Sequence, residues 1–248
     1  MRSGYYSAAF LLQRIIADKL DVDPTEIEIA DISRKALNDD TDRFVAEIIL
    51  TDELPNGSGF VRHLYKNFEA ILSDTILPPA EKVYLKKIHS DSHSGSCYDS
   101  CYECLKVYRN MNYHSLLDWR LALSMMRMMN DETFVCGADK NFDFVELRGW
   151  LDNAIGLRDS FVQSFGYTHK EEVNGLPIIK WGQDKKNIIA IVHPFWNVAN
   201  LNYDENWLAK TITALRKYKD ASGGSLSIID TFNLHRRPGW CYEKLVIR

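Results

Sequence analysis

The chain has 248 residues, 46% of them hydrophobic and 26% charged, with a formal net charge of -4. That composition is of a folded protein with room for one large domain or two ordinary ones, and it excludes a polycation, so any nucleic-acid contact must rest on a local basic patch. The sequence holds no run of 18 apolar residues, which excludes a membrane-spanning helix.

The first twenty residues, MRSGYYSAAFLLQRIIADKL, are apolar in part, but Arg14 interrupts them and no small-residue cleavage site follows. They read as an amphipathic helix from about Tyr6 to Lys19 rather than a secretory signal, with Ala8, Leu11, Leu12, Ile15 and Ile16 on one face. Glu26 to Asp31 alternates like a strand, a polar loop through SRKALNDDTDR follows, and Phe44 to Leu50 is a second, β-branched strand. Leu54-Pro55-Asn56-Gly57-Ser58-Gly59 supplies a turn. Phe60, Leu64, Tyr65 and Phe68 recur at helical intervals, and a further helix is expected from Pro78 and Pro79 through Val83, Leu85 and Ile88. HSDSHSGS reads as a polar loop leading into a group of cysteines. HSLLDWRLALSMMRMM is then a strongly amphipathic helix, its methionines serving as core filler.

GADKN, at 137–141, is a turn-rich break, which suggests domains at 1–138 and 139–248. Beyond it come a helix through FVELRGWLDNAIGLRDSFVQSFG, strands at THKEEV, GLPIIKW and NIIAIVHPFW, a helix at YDENWLAKTITALRKYKD and a last strand at SLSIIDTF. The expected fold class is mixed α/β, a helix-rich N-terminal half that carries the cysteine group, followed by an α-β-β-β-α-β half. That second order resembles the restriction-endonuclease-like core, whose members hold a metal with an acid on the second strand and Glu-x-Lys on the third. Here the third strand carries Ile189-Ala190-Ile191-Val192-His193, without acid or lysine, so the resemblance implies a degenerate core suited to binding. The alternative, a metal-dependent nuclease, would have to draw on Asp184, Lys185 and Glu171, whose spacing does not match that motif.

The strongest chemical signal is SCYDSCYECLKVYRNMNYH. Cys97, Cys101 and Cys104 are three of the five cysteines, spaced C-x3-C-x2-C. An odd number of cysteines, clustered rather than spread, speaks for thiolates on a metal in a cytoplasmic setting rather than a disulfide framework. A structural Zn2+ needs a fourth ligand. His114 is favoured, nearest downstream at a helix start; His89, His93, Cys136 and Cys241 are the others a fold can deliver. Otherwise Cys136 and Cys241 read as ordinary buried small residues. A redox pair of Cys101 and Cys104 is the rival, and the third cysteine argues against it.

TDELPNGSGFVRHLYKNFEAIL followed by SCYDSCYECLKVYRNMNYHSLLDWRLAL resembles the MrfA-like zinc-binding domain found toward the C-terminal end of many bacterial superfamily 2 helicases, including those of DNA repair and of DISARM and Druantia antiphage systems. Cys97, Cys101, Cys104, Tyr108, Asn110, His114, Leu117 and Asp118 match the family's pattern. The chain departs from it where many members place a fourth cysteine, at Val107 to Met111, and where Trp119 replaces a frequent arginine. The resemblance implies Zn2+, a helicase core or other subunits of a repair or defence complex as partners, and DNA, single-stranded DNA included. The chain has no G-x-x-x-x-G-K-[ST] phosphate cradle, so it hydrolyses no ATP by that mechanism. It reads as the C-terminal piece of a helicase or an accessory subunit, a nucleic-acid-binding or docking module without catalysis of its own. Asp52-Glu53 follows a strand as a Mg2+-holding box does but has no cradle to serve. Near the end of the chain His235, Arg236, Arg237 and Trp240 combine cations with a stacking ring, the groups that suit phosphate and unpaired bases. The competing reading there is a turn whose tryptophan fills the core.

Overall fold

The computed structural model describes residues 2–36, 44–54, 56–199 and 206–246. Part of the polar loop (37–43), Pro55 of the turn, and 203–205 at the start of the last long predicted helix lie outside the described residues. The chain divides into two compact units, Met1–Phe134 and Val135–Arg248. The division falls a few residues before the GADKN break because Ala138 belongs to the second unit's core and Trp196 Nε1 donates to Cys136 O at 2.9 Å.

The first unit is built on α1 (Arg2–Leu20). Its buried face includes Ser3, Gly4, Ser7 and Ala8 beside Leu11, Ile15 and Ile16. Small residues let another helix approach closely, and α1 packs on α6 (Trp119–Asn130). The Ser7 hydroxyl accepts from Asp118 N at 2.8 Å, fixing the entry to α6. Asp118 in turn caps α6, accepting from Arg120 N and Leu121 N. The unit's sheet is an antiparallel hairpin of β1 (Ile27–Ala36) and β2 (Phe44–Asp52). Gln13 donates to Ile27 O at 2.5 Å, tying β1 to α1.

Asp52 holds the turn that follows β2. Its carboxylate accepts from Gly59 N at 2.7 Å and Val61 N at 2.9 Å, closing the turn onto α2 (Phe60–Lys66). Gly59 has φ of 82°, a conformation that favours glycine. Asn67 separates α2 from α3 (Phe68–Ile76) by donating its amide to His63 O at 2.8 Å. The helix expected from the proline pair starts only at Val83, as α4 (Val83–Ile88). A residue before proline avoids the helical region, so Pro78 cannot join it. HSDSHSGS, expected as a loop, contains α5 (Asp91–Ser96), nucleated by Ser90, whose hydroxyl accepts from His93 N at 3.2 Å.

In the second unit, α7 (Trp150–Phe165) is bounded by Gly149 and Gly166, both with positive φ. Then follow β3 (His169–Val173), β4 (Leu176–Trp181), β5 (Asn187–Val192), α8 (Trp207–Ser222), β6 (Leu226–Asp230), α9 (Thr231–Arg236) and α10 (Pro238–Val246). The sheet order is β3-β4-β5-β6, with β4 antiparallel to both neighbours and β5 parallel to β6. The central strands are buried through most of their length, which explains their continuous apolar runs. α8 makes the crossover that a parallel pair requires. Asn174 and Gly175, both with positive φ, turn β3 into β4. No helix among the described residues is long and apolar enough to cross a membrane.

Candidate metal centre

Four side chains converge in the first unit: His93, Cys97, Cys101 and Cys104, their ligand atoms all within 4.8 Å of one another. His93 and Cys97 are four residues apart, so α5 and its cap present them on one side. Cys97 N donates to His93 O at 2.8 Å, which holds the cysteine at the helix end. Cys101 and Cys104 come from a tight turn in which Cys104 N and Lys106 N both donate to Cys101 O, at 3.2 and 2.9 Å.

The spacing fits zinc. A tetrahedral ion with Zn–S bonds near 2.3 Å separates its sulfurs by about 3.8 Å. Cys97 and Cys104 sulfurs lie 3.9 Å apart, Cys101 and Cys104 sulfurs 3.6 Å, and Cys101 Sγ lies 3.6 Å from His93 Nε2. His93 Nδ1 is 3.2 Å from Ile88 O, so its proton has an acceptor and Nε2 is left with a lone pair toward the sulfurs. Burial and the neighbouring sulfurs decide which thiol ionises. The hydrogen bond from Cys97 pulls Cys104 far below the ordinary thiol range. The same contact, with burial, pushes Cys97 up, and burial together with the Cys104 charge pushes Cys101 up. Thiols that oppose each other's ionisation this way make a donor set that a dication satisfies.

The shell around the cluster is built from α6 and α4. Trp119, fully buried, donates Nε1 to Cys97 O at 3.0 Å, and its ring meets the His93 ring edge-on at 5.0 Å. Arg120 reaches Cys97 O, Tyr98 O and Ser94 O at 3.2, 2.6 and 3.1 Å. Tyr84 donates to Cys104 O at 2.7 Å. Trp119 and Arg120 thus each place a donor on the cysteine loop.

His114, the expected fourth ligand, is not in this group. Its Nε2 sits 2.8 Å from Asn110 Oδ1 and 3.1 Å from Val107 O, closing the loop after the third cysteine. Asn110 completes that closure, accepting from Val107 N and donating to Leu105 O at 2.9 and 2.8 Å. His93 takes the fourth place. His89 Nε2 lies 2.9 Å from Thr75 O, while Cys136 and Cys241 are buried in the second unit.

The other predicted residues sit in the second unit. Arg236 ends α9 with its guanidinium 5.3 Å from the Phe232 ring. Arg237 lies 4.7 Å from the Trp240 ring and hydrogen-bonds Asn233. His235 is exposed, and Trp240 is 43% exposed, so this tryptophan does not plug the core. Asp184 and Lys185 stand in the turn after β4, and Glu171 on β3 is paired with Lys180 at 2.7 Å. Among the described residues they form no metal-holding group. His193, buried after β5, is 3.5 Å from Cys136 Sγ, and Asp230 caps α9 through Asn233 N.

Residues 8–105 match the family model of the MrfA Zn-binding domain. The match contains His93, Cys97, Cys101 and Cys104 and stops short of His114. Searches of curated proteins and of solved structures found no significant match. With one histidine and three cysteines clustered at zinc dimensions inside the matched segment, the N-terminal unit carries a zinc-binding domain of the MrfA type.

Proposed function

We propose that the chain is a zinc-stabilised nucleic-acid-binding module of a helicase system, of the kind used in DNA repair or antiphage defence, and that it works in the cytoplasm without catalysis of its own. The helicase partnership draws on the family match, since that domain resembles those carried by superfamily 2 helicases. The observation that carries the nucleic-acid part is Trp240. It is 43% exposed, with the Arg237 guanidinium 4.7 Å and the Lys244 ammonium 5.7 Å from its ring centroid. An exposed indole flanked by cations offers a stacking surface for an unpaired base and charge for the adjoining phosphates. Arg236, half-buried over Phe232, is the weaker contact of the arginine pair. A nuclease reading lacks comparable support, because β5 offers only Asn187 and apolar side chains where such a core needs an acid and a lysine.

The test is a salt titration of binding to a labelled single-stranded oligonucleotide, read by fluorescence anisotropy on the full chain. Neutralised phosphates set a slope of roughly -0.7 per contact in log K against log salt for single strands. Replacing Arg236 and Arg237 by alanine removes up to two contacts and flattens that slope by about 1.4. Trp240→Ala lowers affinity by about 1–3 kcal/mol with the slope retained. An unchanged slope with a large loss of melting temperature in the double variant ends the nucleic-acid interpretation of these residues.

A further inference from the structure

The first unit holds a groove of about 370 Å³ that the zinc centre does not use. One wall is β1, whose residues 27–32 line it without a gap. Successive side chains of a strand point to opposite faces, so an unbroken run marks a groove that follows the strand's edge. Among the described residues β1 pairs with β2 alone, so past Ile27 O, which accepts from Gln13, that edge has no partner strand. The opposite wall comes from α1 and from the 3-10 turn at Tyr108–Tyr113, and Tyr6, Phe10, Arg109 and Tyr113 line it.

Two features of the lining indicate what fits. Glu28, Asp31 and Glu53 line the groove against one cation, Arg109, which lies 3.9 Å from Glu53. That balance disfavours a phosphate backbone and favours a cationic ligand. The second feature is the aromatic wall. Tyr6 and Tyr113 stack with centroids 5.0 Å apart, and Arg2 already sits 5.2 Å over the Tyr6 ring. This pair therefore receives a guanidinium face, and a neighbouring ring of the same kind can receive a second.

We infer that the groove along the free edge of β1 is a docking site for a short, extended, basic peptide segment of a partner protein, bound by strand addition. Main-chain pairing to β1 supplies affinity, while lysine or arginine side chains meet Glu28, Asp31 and the tyrosines. The bulge at Ala30, where the register shifts between Ile29 and Asp31, bends the strand and keeps the paired stretch short. The inference stands apart from the nucleic-acid reading, whose residues belong to the other unit.

The test uses the zinc-loaded full chain and two fluorescein-labelled, end-blocked heptapeptides, one alternating valine with lysine and one alternating valine with glutamate. The lysine peptide binds at least about tenfold more tightly, since opposite charges select the partner. It also slows amide exchange across 27–32. Charge reversal by Glu28→Lys with Asp31→Lys weakens the lysine peptide by about tenfold or more while zinc content is kept. Both side chains are exposed, and Tyr113→Ala provides a second variant that weakens binding without altering charge. The Arg236→Ala, Arg237→Ala double variant binds the peptide as the parent does, so the two readings fail separately. Equal binding of the two peptides, binding that survives the charge reversal, or protection of 27–32 by a single-stranded oligonucleotide in place of the peptide would each overturn the inference.

Discussion

Replacing His93 by alanine removes one of four ligands and leaves a hole beside Trp119. Metal binding at structural zinc sites is worth about 10–16 kcal/mol near neutral pH. Shared among four ligands, that is about 3–4 kcal/mol each, or two to three powers of ten in affinity. The structure gives no reason for a smaller loss. His93 is 4% exposed, its Nδ1 is held by Ile88 O, and its Nε2 lies 3.6 Å from the Cys101 sulfur. His114→Ala is the matched control. It costs about 1–3 kcal/mol of stability by leaving Val107 O and Asn110 Oδ1 without that contact, and zinc affinity stays at the parent level. Competition with a chromophoric chelator, with metal content by mass spectrometry, reads both variants. A His93→Ala variant that keeps one zinc at parental affinity, or a His114→Ala variant that loses it, would refute His93 as the fourth ligand.

Cys101→Ser is expected to lose zinc and solubility together, measured by metal analysis of the soluble fraction. Arg120→Leu removes the guanidinium from three loop carbonyls and lowers zinc affinity by about 10–100-fold, as loss of an outer partner does, measured with the same chelator. Asp52→Ala costs about 1 kcal/mol of stability by uncapping α2 and leaves zinc content unchanged, as thermal melting and metal analysis would read. His193 gives a pH signature: burial lowers its pKa to about 3, below the ordinary imidazole value, so its neutral form stabilises the fold fully above about pH 6.5 and that contribution is lost as pH falls toward 3. The second unit therefore loses about 1.4 kcal/mol per pH unit in this range, while His193→Gln flattens the dependence. Tryptophan fluorescence follows it, five of the six tryptophans lying in Val135–Arg248.

The cysteines of the site were legible because C-x3-C-x2-C places three soft donors within one turn and its surroundings. The histidine was not, because proximity to a helix start favoured His114 and the serine-rich HSDSHSGS lacks strong helix formers. Ser90 caps that segment regardless, and the four-residue step from His93 to Cys97 was the available signal. His114 was drawn away by local carbonyl and amide acceptors that no spacing rule reveals. In the second half, the runs LPIIKW and NIIAIV identified strands by apolar continuity, and the α-β-β-β-α-β order followed from them. The tail was harder. Asp230 ends β6 and at once caps α9, and Pro238 opens α10 at a position where its missing N–H costs nothing. In sequence SLSIIDTF reads as strand to its end and the arginine–tryptophan tail as a turn, so neither helix start shows.

Zinc K-edge X-ray absorption on the purified full chain tests the metal centre most directly. A site of one histidine and three cysteines gives one equivalent of zinc with about three sulfurs near 2.3 Å, one nitrogen near 2.0–2.1 Å and the outer-shell scattering of an imidazole ring, and that ring signature is lost in His93→Ala. A folded chain without zinc, a shell of four sulfurs, or an imidazole signature that survives His93→Ala would contradict the account.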